Sequence, residues 1–367
     1  MLKEFLSLER ISNYWRNLDK NIFICFIALF FLGIYFSFSS TSFLAGERLN
    51  KDFYFFFSKH LLFAIMAIFL MILISYLELS FFKKLILPLF IFSFFLLLLV
   101  PLVGLEVKGA KRWLDFIFFR LQPIEIIKPF FILFTAKIIS SYDKKNIYYP
   151  YSFSLLILTL IVILLLKQPD IGQSILIITT WVSIIFISGI KIYYLILISI
   201  FLILLSMFLL FIFPDKFGYI IQRLKVFYDP SQGDSHGQTV KALEAIRLGG
   251  LKGQGMGEGI LKESVPEAHT DYIIAVITEE YGSIISSLVI FIFLYISYRI
   301  IKKCINSSDN SLKISLCGLS SLLIFQTFIH VGVNTSLLPT TGMTLPFLSY
   351  GGSSLIGSAI LAGAILN

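Results

Sequence analysis

Apolar positions in this chain run in long uncharged blocks, and polar residues gather between them. Blocks near spanning length, about 20 residues, are Asn21–Leu44, Leu61–Leu77, Leu85–Leu105, Asn146–Leu166, Ile171–Ile190, Ile192–Pro214 and Tyr281–Tyr298. The stretch Ile314–Asn367 carries no charge at all, and the turn signal Pro339-Thr340-Thr341-Gly342 divides it into two segments. A more polar block, Gln122–Ile139, holds Glu125, Lys128 and Lys137. The pattern predicts an all-α polytopic membrane protein with about ten transmembrane helices. Spans 1–7 fall in residues 21–214 and spans 8–10 in residues 271–367.

Two segments break the pattern. In residues 1–20, Leu2, Phe5, Ile11, Trp15 and Leu18 recur at near-helical spacing beside Lys3, Arg10, Arg16 and Lys20. This predicts a cytoplasmic amphipathic segment lying on the membrane surface. Residues 215–270 form a large polar insertion between spans 7 and 8, expected on the extracytoplasmic side. Within it, Gly218–Tyr228 and Gln238–Leu248 read as short amphipathic helices. The glycines at 249, 250, 253, 255, 257 and 259 do not match a dinucleotide-binding loop, and no strand precedes them. They predict a tight re-entrant loop, in which missing side chains let other segments or a substrate come close.

Composition narrows the class. Hydrophobic residues make up 57% and charged residues 14%, with 39 Phe. Mean hydropathy is +0.89. These values exclude an ordinary cytosolic enzyme, a disordered chain and a disulfide-stapled secreted domain. The net charge of +8 would suggest nucleic acid in a soluble protein. Here no basic helix or stacking platform stands outside the apolar blocks, so no nucleic-acid partner is expected. With the N-terminus inside, fewer than half of the 30 Lys and Arg face inward. Seven lie in the 215–270 insertion and several more between Lys108 and Lys128. That outward excess of positive charge needs a cause other than topology. Cys25, Cys304 and Cys317 sit near inner ends of spans, so no disulfide framework is expected. The four His show no metal-ligand spacing, and no metal site is expected.

Ionisable groups at membrane depth are costly and mark function. Three clusters stand out. The first runs Lys108-Gly-Ala-Lys-Arg112-Trp113-Leu-Asp115, then Arg120, Gln122, Glu125 and Lys128. Glu125 and Lys128 are i,i+3 neighbours on a helix, so they either neutralise one another or help form a cationic cleft for a phosphate group. Trp113 is an interfacial anchor or a binding platform. The second is Lys167-Gln168-Pro169-Asp170, where Asp170 either caps the next helix or serves a site. The third is Pro266-Glu267-Ala268-His269-Thr270-Asp271, where the insertion turns into a span, followed by Glu279. Asp271 caps that helix or acts as a catalytic carboxylate. His269 orients it or simply hydrogen-bonds at the interface. Glu279 is a second polar group of the site or a buried partner for a Lys.

These residues carry a resemblance. Gly109-Ala-Lys-Arg-Trp113 with Gln122-Pro-Ile-Glu125-Ile-Ile-Lys128, Gln168-Pro-Asp170-Ile-Gly172, Pro266-Glu-Ala-His-Thr-Asp271 and Leu345-Pro-Phe-Leu-Ser-Tyr-Gly-Gly-Ser-Ser354 occur in this order. The chain resembles the SEDS family (shape, elongation, division and sporulation) over most of its length, and its Pro-Glu-Ala-His-Thr-Asp and Met343-Thr-Leu-Pro-Phe segments look most like the FtsW-type division branch. It departs at His330 and Ser336, where the family more often has Asn and Gly. The resemblance implies a peptidoglycan glycosyltransferase that polymerises lipid II at the outer face of the bacterial plasma membrane, for septal wall synthesis. It implies Asp271 as general base. It also implies Arg112, Trp113, Arg120, Glu125, Lys128, Asp170, Glu267 and His269 around the substrate. No cofactor is certain; a divalent cation (Mg2+ or Mn2+) at the diphosphate is compatible. Implied partners are a class B penicillin-binding transpeptidase of FtsI type and other divisome proteins. A lipid II flippase, a RodA-like elongation polymerase and a structural scaffold stand as alternatives.

Overall fold

A computed structural model describes residues 8–40, 54–107, 109–116, 119–141, 148–197, 199–200, 204, 214–228, 234–265 and 267–367. Helix α1 (Leu8–Asn17) carries Trp15 and Arg16 and leads directly into the apolar α2 (Lys20–Ser40). Next come α3 (Phe55–Tyr76) and α4 (Leu79–Val103). After the sheet described below follow α5 (Pro123–Ser141), α6 (Tyr148–Lys167) and α7 (Ile171–Ile187). The insertion holds α8 (Pro214–Tyr228), α9 (Asp234–Gly249) and the single turn α10 (Leu261–Ser264). The chain ends in α11 (Ile273–Asn306), α12 (Asn310–Asn334) and α13 (Gly352–Leu366).

Among the described residues, six helices are long and apolar enough to cross a membrane: α2, α3, α4, α6, α11 and α12. Two more, α7 and α13, are apolar but shorter. The block Gln122–Ile139 forms most of helix α5 despite its charges, because Glu125 and Lys128 pair inside the bundle. Most of the expected span Ile192–Pro214 lies outside the described residues.

Beside its helices the chain carries one small element that the apolar blocks do not predict. Residues 105–121 form a small antiparallel sheet, β1 (Leu105–Val107), β2 (Ala110–Phe116) and β3 (Phe119–Leu121), in that order. Gly109, at φ 75°, supports the first turn. Register pairs Glu106 with Lys111 and Asp115 with Arg120, opposite charges on facing positions. Leu114 and Leu121 turn inward onto Leu96 and Val100 of α4. The strand sequence Ala110–Phe116 does not alternate cleanly between apolar and polar residues, so no period-two signal marks it.

The core is assembled from the apolar faces of the helices. Helix α13 packs against α3 and α5, and α11 against α12. Phe347 seats between Phe26, Phe30 and Phe293. Trp181, almost fully buried, donates its Nε1–H to Ser154 Oγ at 3.2 Å.

The glycine run docks onto a break in α11. Gly282 there has φ 86° and ψ 166°, so the helix ladder is interrupted. The carbonyls of Glu279 and Glu280 instead accept from Gln254 N (2.9 Å) and Gly255 N (3.0 Å), and Ser283 N donates to Gly250 O (2.9 Å). A Cβ on Gly253 would stand 2.3 Å from Glu280 O, and one on Gly282 would stand 2.2 Å from Leu251 O. These glycines therefore admit protein backbone. The Glu279 carboxylate accepts from the N–H groups of Ile260 (2.9 Å) and Leu261 (3.1 Å).

Candidate active site

The four sequence motifs meet at one end of the bundle. The 266–271 segment turns into α11, and backbone bonds Thr270 N to Glu267 O and Asp271 N to Glu267 O shape the turn (3.1 and 3.0 Å). Pro266 lies outside the described residues. Asn334, at the end of α12, fixes this turn from below. Its Nδ2 donates to Asp271 O (3.0 Å) and to His330 O (2.8 Å), and its Oδ1 accepts from Ala275 N (3.3 Å). The last motif closes over it: Tyr350 N donates to His269 O at 3.0 Å, and Ser349 Oγ donates to Thr270 O at 2.6 Å. The His269 ring packs against Phe56 and Tyr350. Burial holds His269 well below the ordinary histidine range, at about 4, with nearby Glu267 pulling the other way.

Asp170 N-caps α7 through Gln173 N (3.4 Å), and Gln122 Nε2 donates to its Oδ2 (3.3 Å). Arg112, on β2, reaches across to the same corner. Its Nε donates to Gln168 O (3.1 Å), its Nη2 to Pro169 O, and its Nε lies 3.9 Å from Asp170 Oδ2. Burial raises the Asp170 carboxyl above the ordinary range, against the pull of Arg112. Gly172 lets α7 press on the 341–343 turn: a Cβ there would stand 2.8 Å from Thr341.

The turn glycine Gly342, at φ 68°, marks the centre. A Cβ built on it lies 3.5 Å from Asp271 Oδ2 and 3.9 Å from Arg112 Nη1. A carboxylate and a guanidinium thus face one small space. A second arginine joins them. Arg223, on α8, donates from Nη1 to Thr340 O at 3.0 Å. Its pKa is lowered by burial and by the like charge of Arg112, while Asp170 and Asp271 act in the opposite sense. It stays cationic, as arginine does. Sequence reading missed Arg223, because an arginine on an amphipathic loop helix looks like part of a solvated face. Only its neighbours reveal it.

Glu125 and Lys128 adjoin this corner through Gln173, which bonds both Asp170 and Glu125. Lys128 and Glu125 are buried and paired, Nζ to Oε2 at 2.9 Å. Lys128 Nζ also donates to Gln326 Oε1 (3.1 Å), and Gln173 Nε2 donates to Glu125 Oε1 (2.7 Å). A cavity of about 10 Å³ touches Glu125, Lys128 and Gln326, room for about one water. Arg120 lies on the exposed side of the hairpin, 3.8 Å from Asp115, with its side chain 58% exposed. Trp113 and Glu267 are partly buried. Lys108 lies outside the described residues.

Together these features define a polytopic helical membrane protein with a polar site at one end, whose charged residues come from three of the motifs and from α8. The chain belongs to the FtsW/RodA/SpoVE family, the SEDS proteins: the family model described as "Cell cycle protein" matches residues 19–367. A probable peptidoglycan glycosyltransferase FtsW of Caulobacter vibrioides is 33% identical over 354 residues, covering 96% of this chain and 89% of that protein. One from Geobacter sp. is 32% identical and covers 98% of each. Among solved structures, a chain of a peptidoglycan synthase complex that coordinates polymerization and crosslinking aligns with TM-score 0.78 and 24% identity, covering 95% of this chain and 96% of that one. The rod shape determining protein RodA of Thermus thermophilus aligns with TM-score 0.70 and 24% identity, covering 96% of each chain. The structural likenesses establish a shared fold.

Proposed function

We propose that this protein is a peptidoglycan glycosyltransferase of the FtsW kind, polymerising lipid II into glycan strands at the outer face of the plasma membrane during division. The observation that carries this reading is the convergence of Asp271 and Arg112 on Gly342, with Arg223 behind them. It accords with the names of the relatives. A lipid-linked substrate requires a site at the membrane surface, and ten spans with the insertion outside would put this site there.

In the proposed reaction, Asp271 takes the proton of the acceptor sugar 4-hydroxyl as that oxygen attacks the donor anomeric carbon. The new C–O bond forms as the bond to the diphosphate breaks, and undecaprenyl diphosphate leaves with its electron pair. Attack from the opposite face inverts an α-linked donor to a β-linkage. Arg112 and Arg223 stabilise charge on the leaving diphosphate, with the guanidinium fork suited to phosphate oxygens. His269, Glu267 and Trp113 shape the site edge, and Asp170 holds Arg112 in place. Arg120 is a further candidate contact from the hairpin. Lys128 would meet substrate only by exchanging Glu125 or Gln326, and otherwise supplies fixed charge from below.

Among the described residues, no three His, Cys, Asp or Glu side chains converge on a metal position. Asp170 is already engaged by Gln122, Gln173 and Arg112. A divalent cation would therefore arrive with the diphosphate, as magnesium commonly does, and no step above is routed through it. The partner proposed is a class B penicillin-binding transpeptidase of FtsI type, with other divisome proteins.

Proteoliposomes holding this protein, its transpeptidase and outward-facing lipid II test the reading. Glycan strands are expected. Transfer of labelled lipid II between leaflets without strands would overturn it in favour of a flippase.

A further inference from the structure

The end of the bundle opposite Asp271 carries a second cleft. Along α11, Ile273 and Lys303 are separated by roughly 40 Å at 1.5 Å per residue. Near Lys303, the start of α4, the end of α5, the start of α12 and the end of α13 enclose a cavity of about 120 Å³. Its floor is apolar, formed by Phe82, Ile86, Leu133 and Leu319 among others. Lys83, Lys137 and Lys303 also line it, and no Asp or Glu does.

The lysines keep capacity for an anion. Lys83 lies 3.5 Å from Asp309, but that carboxylate also caps α12 by accepting from Ser311 N and Leu312 N. Lys137 Nζ donates to Lys83 O at 3.0 Å, and an ammonium has three donors. Leu79, which lines the cleft, is 40% exposed on a helix apolar enough to span the membrane. An apolar floor capped by cations and opening on the lipid-facing surface matches one class of molecule.

We propose that this cleft binds an anionic phospholipid of the surrounding bilayer, with its phosphate on Lys83, Lys137 and Lys303 and the upper part of an acyl chain along Phe82, Ile86 and Leu133. A soluble anion would gain the charges but leave the floor unfilled. A zwitterionic lipid would fill the floor but present a headgroup of no net charge to the lysines. Basic pockets between membrane helices bind anionic headgroups by this combination. The proposal does not depend on the reaction at Asp271 and fails or stands separately from it.

Native mass spectrometry of the full chain in detergent tests it, with phosphatidylglycerol, phosphatidylcholine of the same acyl chains, and inorganic phosphate as probes. One phosphatidylglycerol is expected to be retained in preference to phosphatidylcholine. Each lysine is worth about fivefold in binding, so Lys137→Gln/Lys303→Gln should weaken retention roughly twentyfold. Lys84→Gln, outside the cleft lining, should leave it unchanged. Lys137→Arg/Lys303→Arg keeps the charge and should keep the lipid, which separates loss of the site from loss of the fold. Leu133→Trp should reduce binding with every lysine in place. Equal retention of both lipids, retention unaffected by the double glutamine variant, or displacement of the lipid by inorganic phosphate would overturn the proposal.

Discussion

The buried Glu125–Lys128 pair offers a quantitative test of how the bundle tolerates charge. Its side chains are 5% and 2% exposed and 2.9 Å apart. Lys128→Met leaves the Glu125 carboxylate with the neutral amide of Gln173 as donor. Glu125→Gln leaves the ammonium with Gln326 and a neutral amide. Removing one member of a buried pair costs about 3–5 kcal/mol, whereas replacing both by neutral groups of similar size is often close to neutral. The expected coupling in a double-mutant cycle is therefore at least about 3 kcal/mol, well above the roughly 0.3–0.5 kcal/mol seen for independent sites. Equilibrium unfolding by denaturant in mixed micelles gives the four stabilities. If the double variant loses the sum of the two single losses, the pair is not coupled and the reasoning fails. The double variant also separates packing from chemistry. Restored stability with polymerisation still lost would assign Lys128 a part in turnover, and restored polymerisation would make its role structural.

Gly342→Ala should cut polymerisation at least tenfold with the fold retained, because φ is 68° and the new methyl would stand 3.5 Å from Asp271 Oδ2; strand yield with a melting curve checks it. Gly253→Val should free the glycine loop from α11, since its Cβ would lie 2.3 Å from Glu280 O; faster proteolysis between residues 249 and 260 is the readout. Ser336→Gly should stabilise the protein by about 1 kcal/mol, because Ser336 sits at φ 56°, where a side chain is disfavoured. His269, held at about 4, binds fewer protons folded than unfolded. Its contribution is fully present above pH 6.5 and is lost as pH falls toward 4, about 2 kcal/mol at pH 5. His269→Gln should flatten stability over that range.

Much of the fold is legible in the apolar blocks, because a lipid-facing helix must be apolar along its length. The blocks at 61–77, 85–105 and 281–298 fall within or largely overlap α3, α4 and α11. The helix ends and the sheet are not legible in this way. Residues 110–116 carry adjacent Lys111-Arg112 and Trp113-Leu114, so they lack the strict alternation that marks a strand. At the site, Asp271, Arg112 and Asp170 stand out as charges at membrane depth. The meeting of Asp271 and Arg112 at Gly342 is a property of tertiary structure, set by α7 pressing on the 341–343 turn and by Asn334 tying Asp271 to α12. Lys128 shows both cases. Its partner Glu125 is legible from i,i+3 spacing, whereas Gln326, 198 residues further along the chain, is not.

Arg112 and Arg223 come from a hairpin and a loop helix far apart in the chain, yet both adjoin Asp170 and Asp271. A site of this kind suits a reaction in which one carboxylate takes a proton and fixed cations receive a departing diphosphate.

The most direct measurement is lipid II polymerisation by purified Asp271→Asn beside the unaltered protein, each with its transpeptidase. The account predicts that glycan strands fall by about 10²–10⁴-fold, the range of a positioned general base, while the melting curve is unchanged. Near-normal strand formation by the folded variant would contradict it.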